Sequence, residues 1–146
     1  MELKIQKLHP NAEIPQQATA GAAGIDLRAC CDAPIVLQPM QRMAVPTGLA
    51  IELPNAETVA LVFARSGMAL KQGLAMANGV GVIDSDYRGE VAVLVVNLSS
   101  KTIKINHGER IAQLVCMPVL LPQIVGVDAL SDTERGQGGF GSTGVK

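Results

Sequence analysis

The stretch Arg135-Gly136-Gln137-Gly138-Gly139-Phe140-Gly141-Ser142-Thr143-Gly144 carries functional groups on a backbone that cannot build a core. Five of its ten residues are glycine, which buries no side chain and loses the most backbone freedom on folding. Among them stand a guanidinium, one of the chain's two phenylalanines, two hydroxyls and several bare amides. Such groups suit gripping an anion and a planar ring together, as a tail that orders over a bound guest would. A plain Gly-rich terminus has the same composition, so the reading depends on the rest of the chain.

The segment Asn78-Gly79-Val80-Gly81-Val82-Ile83-Asp84-Ser85-Asp86-Tyr87-Arg88-Gly89-Glu90-Val91 is the densest cluster of chemistry. Its apolar pair Val82-Ile83 sets Asp84 at a strand end, beside the chain's only tyrosine. A carboxylate near a ring suits a general base beside a sugar or base platform; a surface hairpin with turn-favouring acids reads equally well. In Ala64-Arg65-Ser66-Gly67-Met68-Ala69 an arginine, a hydroxyl and free amides open a short helix, where an anion or only a capped terminus would sit. Asp26 lies between Ile25 and Leu27 and needs a partner or a cation, and Gln113 is a single amide on an apolar strand. His9 and His107 have no serine or carboxylate companion at a known spacing and read as surface groups. Walker, dinucleotide-binding and nucleophile-elbow motifs are absent.

These groups require a scaffold. The chain reads as short strands broken by turn residues: Leu3 to Leu8, Ala23 to Ala29, Ile35 to Leu37, Gly48 to Leu53, Thr58 to Phe63, Val91 to Val96, Thr102 to Ile105 and Arg110 to Met117. Ile103 and Ile105 share one face. The one predicted helix runs from Ser66, a possible cap, to about Gly73, which ends it. This pattern predicts an all-β sandwich or barrel. Thr58–Phe63 and Val91–Val96 are apolar on both faces. The second face of Val91–Val96 meets either another subunit or a covering layer.

The bulk numbers agree. A chain of 146 residues, 48% of them apolar, is one globular domain that needs no staple. Aromatic residues make up only 2%, so Val, Leu, Ile, Ala and Met must fill the core. Twelve basic against 13 acidic residues leave a net charge of −1, with no footprint for nucleic acid or an anionic membrane. No apolar run approaches a membrane span, and the N-terminus shows no signal-peptide core. Cys30, Cys31 and Cys116 form neither a disulfide framework nor a metal spacing, and they read as reduced, mostly buried thiols of a cytoplasmic protein.

Taken in order, Ala23–Ala29, Ala64–Ala69, Gly81–Val91, Gly108–Val115 and Thr133–Gly144 resemble the five motifs of the homotrimeric dUTP pyrophosphatase (dUTPase) family. Glu109 stands where the family usually has Asp, and Ala64 where Pro or Gly is common. The resemblance implies a jelly-roll-like β domain over residues 1–130. It also implies a flexible Gly-rich C-terminal arm, residues 131–146, that closes over the active site.

The implied reaction is Mg²⁺-assisted hydrolysis of dUTP to dUMP and pyrophosphate. It lowers dUTP and supplies dUMP for thymidylate synthesis. Asp84 would be the base activating water for in-line attack on the α-phosphorus. Asn78, with the backbone around Val82, Ile83 and Ala92, would read the uracil edge, and Tyr87 would lie against the deoxyribose. Arg65, Ser66, Gly67 and Gln113 would hold the phosphates. Phe140 would stack on uracil, while Arg135, Gly141, Ser142 and Thr143 would close on the γ-phosphate. Asp26 would reach Mg²⁺ through water, with the metal held mainly by the triphosphate. Three subunits would share each site. Two rivals are dCTP deaminase, which shares the fold but has a glutamate where this chain has Leu94, and a non-catalytic nucleotide-binding module.

Overall fold

The computed structural model describes residues 2–139. Phe140, Gly141, Ser142 and Thr143 lie outside the described residues. Within them the chain forms β1 (Lys4–Lys7), β2 (Ile25–Arg28), β3 (Ile35–Leu37), β4 (Arg42–Pro46), β5 (Leu49–Glu52), β6 (Thr58–Ala64), α1 (Ser66–Gln72), β7 (Leu74–Met76), β8 (Gly81–Ile83), β9 (Ala92–Asn97), β10 (Ile103–Ile105) and β11 (Arg110–Pro118). Every pairing is antiparallel. The strands make a four-stranded sheet β2-β11-β6-β8, a three-stranded sheet β4-β9-β7 and the ribbons β1-β5 and β10-β3. The architecture is the expected all-β jelly-roll class, built as facing sheets that do not close into a barrel. Among the described residues no helix is long and apolar enough to cross a membrane.

One apolar core lies between the sheets. Leu27, Leu37, Val45, Val62, Leu74, Val93, Val95, Ile105, Ile111 and Leu114 are all nearly or wholly buried in it. With so few aromatics, branched aliphatics fill the space, and the strands obey their period of two. In β10, Ile103 and Ile105 point in while Lys104 points out. In β6, Thr58, Ala60 and Val62 are buried, and Val59, Leu61 and Phe63 line a half-covered outer face. The cysteines only partly follow expectation: Cys30 is buried, but Cys31 and Cys116 are half-exposed, and all three are free thiols.

Two short elements escaped the sequence pattern, β4 and β7. Each runs along one edge of β9, pairing Val45 with Val93 and Met76 with Val95, so β9 supplies the bonds that make them strands. The helix starts and stops where predicted, but Ser66 is not its cap. Arg65 holds the cap position with no side-chain bond, Ser66 is the first helical residue, and Gly73 closes the helix in the left-handed conformation.

Asn97 is the polar pin of the core, fully buried at the end of β9. Its Nδ2 donates to the Leu37 and Lys101 carbonyls at 3.0 and 2.8 Å, and its Oδ1 accepts from the Ser99 amide and hydroxyl at 2.9 and 2.8 Å. One amide thus fastens β3, β9 and the turn before β10. Asn97→Ala should destabilise the fold by about 2–4 kcal/mol, because it strands buried partners. Chemical denaturation should register this loss; an unchanged midpoint would remove the pin.

Candidate active site

Register along β6 decides where the chemistry goes. Strand β8 pairs with it so that Ile83 faces Ala60 and Gly81 faces Val62. Ile83 is drawn into the core beside Ala60, and the next residue, Asp84, emerges at the Val59 end as an exposed carboxylate. Arg65 follows Ala64 at the opposite end of the same strand. Six residues of extended chain separate the two levels, roughly 20 Å along the strand. The predicted site residues therefore fall into two groups.

The first group lines a cleft of about 300 Å³ formed by Val62, Met76, Asn78, Gly81, Val82, Ile83, Asp84, Tyr87, Glu90, Val91, Ala92 and Leu94. Asn78, Val82, Ile83, Ala92 and Tyr87, predicted to read the uracil edge and the sugar, are here, as is Asp84. The size and the mainly apolar lining with few polar groups suit a small organic ligand. The second face of the apolar strand β9 is thereby explained: Val93 and Val95 point into the core, while Ala92 and Leu94 line the cleft. The loop after β8 is tied to itself. The Tyr87 amide donates to the Asp84 carbonyl at 3.2 Å, and the Tyr87 hydroxyl donates to the Glu90 carbonyl at 3.0 Å. Arg88 Nη1 donates to the carbonyls of Ser85 and Tyr87 at 2.8 and 2.9 Å. Tyr87 lies so close over Gly89 that a Cβ there would displace its ring and hydroxyl.

The second group is a charge cluster on the outer face of β2, β11 and β6. Asp26 accepts from Arg65 Nε at 2.8 Å through one oxygen and from Arg110 Nη1 at 3.1 Å through the other. Two guanidiniums against one carboxylate leave a surplus positive charge at the start of α1. Arg110 was not foreseen. The available signal was the isolated Asp26 itself, which had to find a cation across the antiparallel β2–β11 pair. Gln113 Nε2 donates to the Ala64 carbonyl at 3.0 Å, and its Oε1 crowds Gly24, so the first, second and fourth sequence segments meet here. Arg65, Ser66, Gly67 and Gln113 do not line the cleft. Arg135 lies outside both groups: its Nε donates to the Gly138 carbonyl at 3.0 Å.

His9 and Cys30 offer a competing arrangement, with Sγ 3.5 Å from Nδ1. His9 is half-buried rather than a free surface group. A thiol beside an imidazole can be a nucleophile only as thiolate. Burial, then the Glu90 and Asp32 carboxylates, push the Cys30 thiol up instead. Burial likewise raises Cys31 and Cys116. With folded pKa values above the ordinary 9.0, the three stay protonated at neutral pH. Alkylation of the native protein by iodoacetamide should be slow at neutral pH and rise about tenfold per pH unit toward the alkaline range. A rate that already levels off near neutrality, read by intact mass, would mean a stabilised thiolate.

Comparison with known proteins follows the same lines. A family model described as dUTPase matches residues 10–144. The Deoxyuridine 5'-triphosphate nucleotidohydrolase of Desulfitobacterium hafniense (strain DSM 10664 / DCB-2) is 56% identical over 133 residues, covering 91% of this chain and 88% of the relative. That of Hydrogenobaculum sp. (strain Y04AAS1) is 49% identical over 146 residues, covering 100% of both chains. Among solved structures, a mutant of the Staphylococcus bacteriophage 80alpha dUTPase with dUpNHpp superimposes with a TM-score of 0.86 at 28% identity, covering 99% of each chain.

Proposed function

The chain belongs to the dUTPase family and hydrolyses dUTP to dUMP, and on that premise we propose how its residues divide the work. Asp84 is the general base. It takes the proton of a water that attacks the α-phosphorus, and pyrophosphate leaves on the opposite side. The observation that carries this reading is the shared wall of the cleft: Asp84, Asn78, Tyr87 and the exposed backbone of β8 and β9 face one space of nucleoside size. An exposed carboxylate at the rim can reach a water held beside the cleft and take its proton. Asn78 and the peptide groups near Val82, Ile83 and Ala92 hydrogen-bond the uracil edge. A slot built to pair those groups rejects cytosine, whose polarity leaves them unpaired, and leaves no room for the methyl of thymine. Tyr87, held by the Glu90 carbonyl, lies against the deoxyribose.

The phosphates go to the cation cluster. Arg65, Ser66, Gly67 and Gln113 hold them, with Asp26 keeping Arg65 in place. The donor set suits a magnesium ion that arrives on the triphosphate. Among the described residues no three His, Cys, Asp or Glu side chains gather to cage a metal, and each Asp26 oxygen already meets a guanidinium, so Asp26 reaches the ion through water. A magnesium ion bound there would offset charge building on the leaving pyrophosphate, while Arg65, Ser66, Gly67 and Gln113 hold the phosphates.

Because Asp84 and Arg65 stand at opposite ends of β6, and Arg65, Ser66, Gly67 and Gln113 do not line the cleft, a complete site is assembled between copies of the chain, in a homotrimer. One copy gives the cleft, a second gives Arg65 and Gln113, and the C-terminal arm of a third closes over both. The arm's leading segment supports this. Leu120, Ile124 and Leu130 are 90%, 94% and 87% exposed, an apolar surface that lacks cover on its own chain. Residues 131–146 act as the lid, with Phe140 on the base and Arg135, Gly141, Ser142 and Thr143 toward the γ-phosphate.

Asp84→Asn should bind dUTP within about threefold of the parent and lose at least about a hundredfold in kcat. Pyrophosphate release from dUTP, compared with UTP, dCTP and dTTP and run with and without magnesium, measures this. Near-parental turnover in the variant would remove Asp84 as the base. Truncation after Ser131 should leave a folded oligomer with little activity; full activity would rule out the lid.

A further inference from the structure

Glu90 lines the cleft, and nothing in the proposed reaction uses its side chain. Its Oε1 accepts from the Gly48 amide at 2.7 Å. Gly48 is a closely packed anchor. Its φ of +67° places it in the left-handed region, and a Cβ there would meet Ala12 Cβ at 2.8 Å, Cys30 Sγ at 3.0 Å and His9 Cβ at 3.1 Å. Its carbonyl accepts from the Leu8 amide at 2.7 Å. The residue is therefore hemmed in on its side-chain face and bonded at both ends. Beside it, the buried Thr47 hydroxyl donates to the Val91 carbonyl at 2.5 Å, and the Val91 amide donates to the Leu49 carbonyl at 2.8 Å.

We propose that Glu90 is a positioning residue: its carboxylate clamps the C-terminal end of the Asp84–Glu90 loop to the closely packed Gly48, and so sets where Asp84 and Tyr87 stand. The inference rests on the reading of Asp84 as base. The loop hangs between β8 and this clamp, and its internal bonds carry the clamp's position inward. Tyr87 Oη bonds the Glu90 carbonyl, and Tyr87 N bonds the Asp84 carbonyl. Without the clamp the loop keeps its internal bonds, but its C-terminal end is held only one residue further on, through Val91, so Glu90 and the Tyr87 hydroxyl bonded to its carbonyl can shift. A misplacement of about 1 Å at the base is enough for a large loss of rate. The role needs an acceptor of the right reach and does not need the negative charge.

The isosteric Glu90→Gln keeps the acceptor. It should fold, melt near the parent and retain kcat within about threefold. Glu90→Asp keeps the charge but falls one methylene short. It should lose about tenfold or more in kcat with a smaller change in KM, and so should Glu90→Ala. Both should also discriminate less well between dUTP and UTP, because the Tyr87 hydroxyl moves with the Glu90 carbonyl. A general loss of folded protein would lower active concentration and leave that discrimination unmoved. The proposal is overturned if Glu90→Asp keeps parental kcat and discrimination. It is also overturned if Glu90→Gln fails to fold or falls as far as Glu90→Ala, since either result assigns the charge a direct role. Asp84→Asn, assayed alongside, separates the two ideas. An active Asp84→Asn defeats the base assignment, whereas an inactive Asp84→Asn beside a normal Glu90→Asp defeats only the clamp.

Discussion

Strand β6, held by β8 on one edge and β11 on the other, is the constraint from which the rest follows. Its register with β8 is set by burial: Ala60 and Ile83 meet inside the core, and Val82 faces out. A slip of one residue would exchange Ile83 for Val82 on the core face and carry Asp84 to the other side of the sheet. Burying an isoleucine is worth about 1.5–3 kcal/mol, which holds the pairing in place. On the opposite edge, the pairing of Gln113 with Phe63 brings the Gln113 amide to the end of β6, where Arg65 begins. One apolar ladder thus sets the height of a carboxylate at one end and of a cation cluster at the other.

The two ends differ in physical character. The cleft is apolar with a few fixed polar groups, so hydrogen bonds within it gain strength and selectivity from the lack of competing water. The cation cluster is polar and half-buried, with Asp26 spanning two guanidiniums. That arrangement stops like charges from pushing Arg65 and Arg110 apart and still leaves a positive surplus for an anion. A nucleoside triphosphate has the matching asymmetry, with a flat base at one end and a polyanion at the other.

Much of this was legible in the residues. The alternation of Thr102 to Ile105 and the Gly73 stop found their predicted places, whereas the second face of Val91–Val96, expected against another subunit or a covering layer, lines the cleft through Ala92 and Leu94. Asp84 did emerge at a strand end beside Tyr87. What escaped was whatever depends on a neighbour distant in sequence. Strands β4 and β7 exist because β9 lies between them, and neither has a periodic pattern long enough to register by itself. Ser66 looked like a cap from its type, yet the backbone placed Arg65 there. Arg110 reads as one more strand residue, and only the fold brings its guanidinium to Asp26, whose register partner is Gln113.

From the amino-acid order alone came the class of fold, the five chemistry-bearing segments and the family they resemble, because side-chain type, alternation and spacing are local properties. Tertiary structure alone decided which of those segments share a surface. It divided them between a cleft and a cation cluster, paired Asp26 with two arginines and set Glu90 against Gly48. The physical reason is that such meetings follow from strand register and core packing, which join residues dozens of positions apart and leave no trace in any short window of sequence.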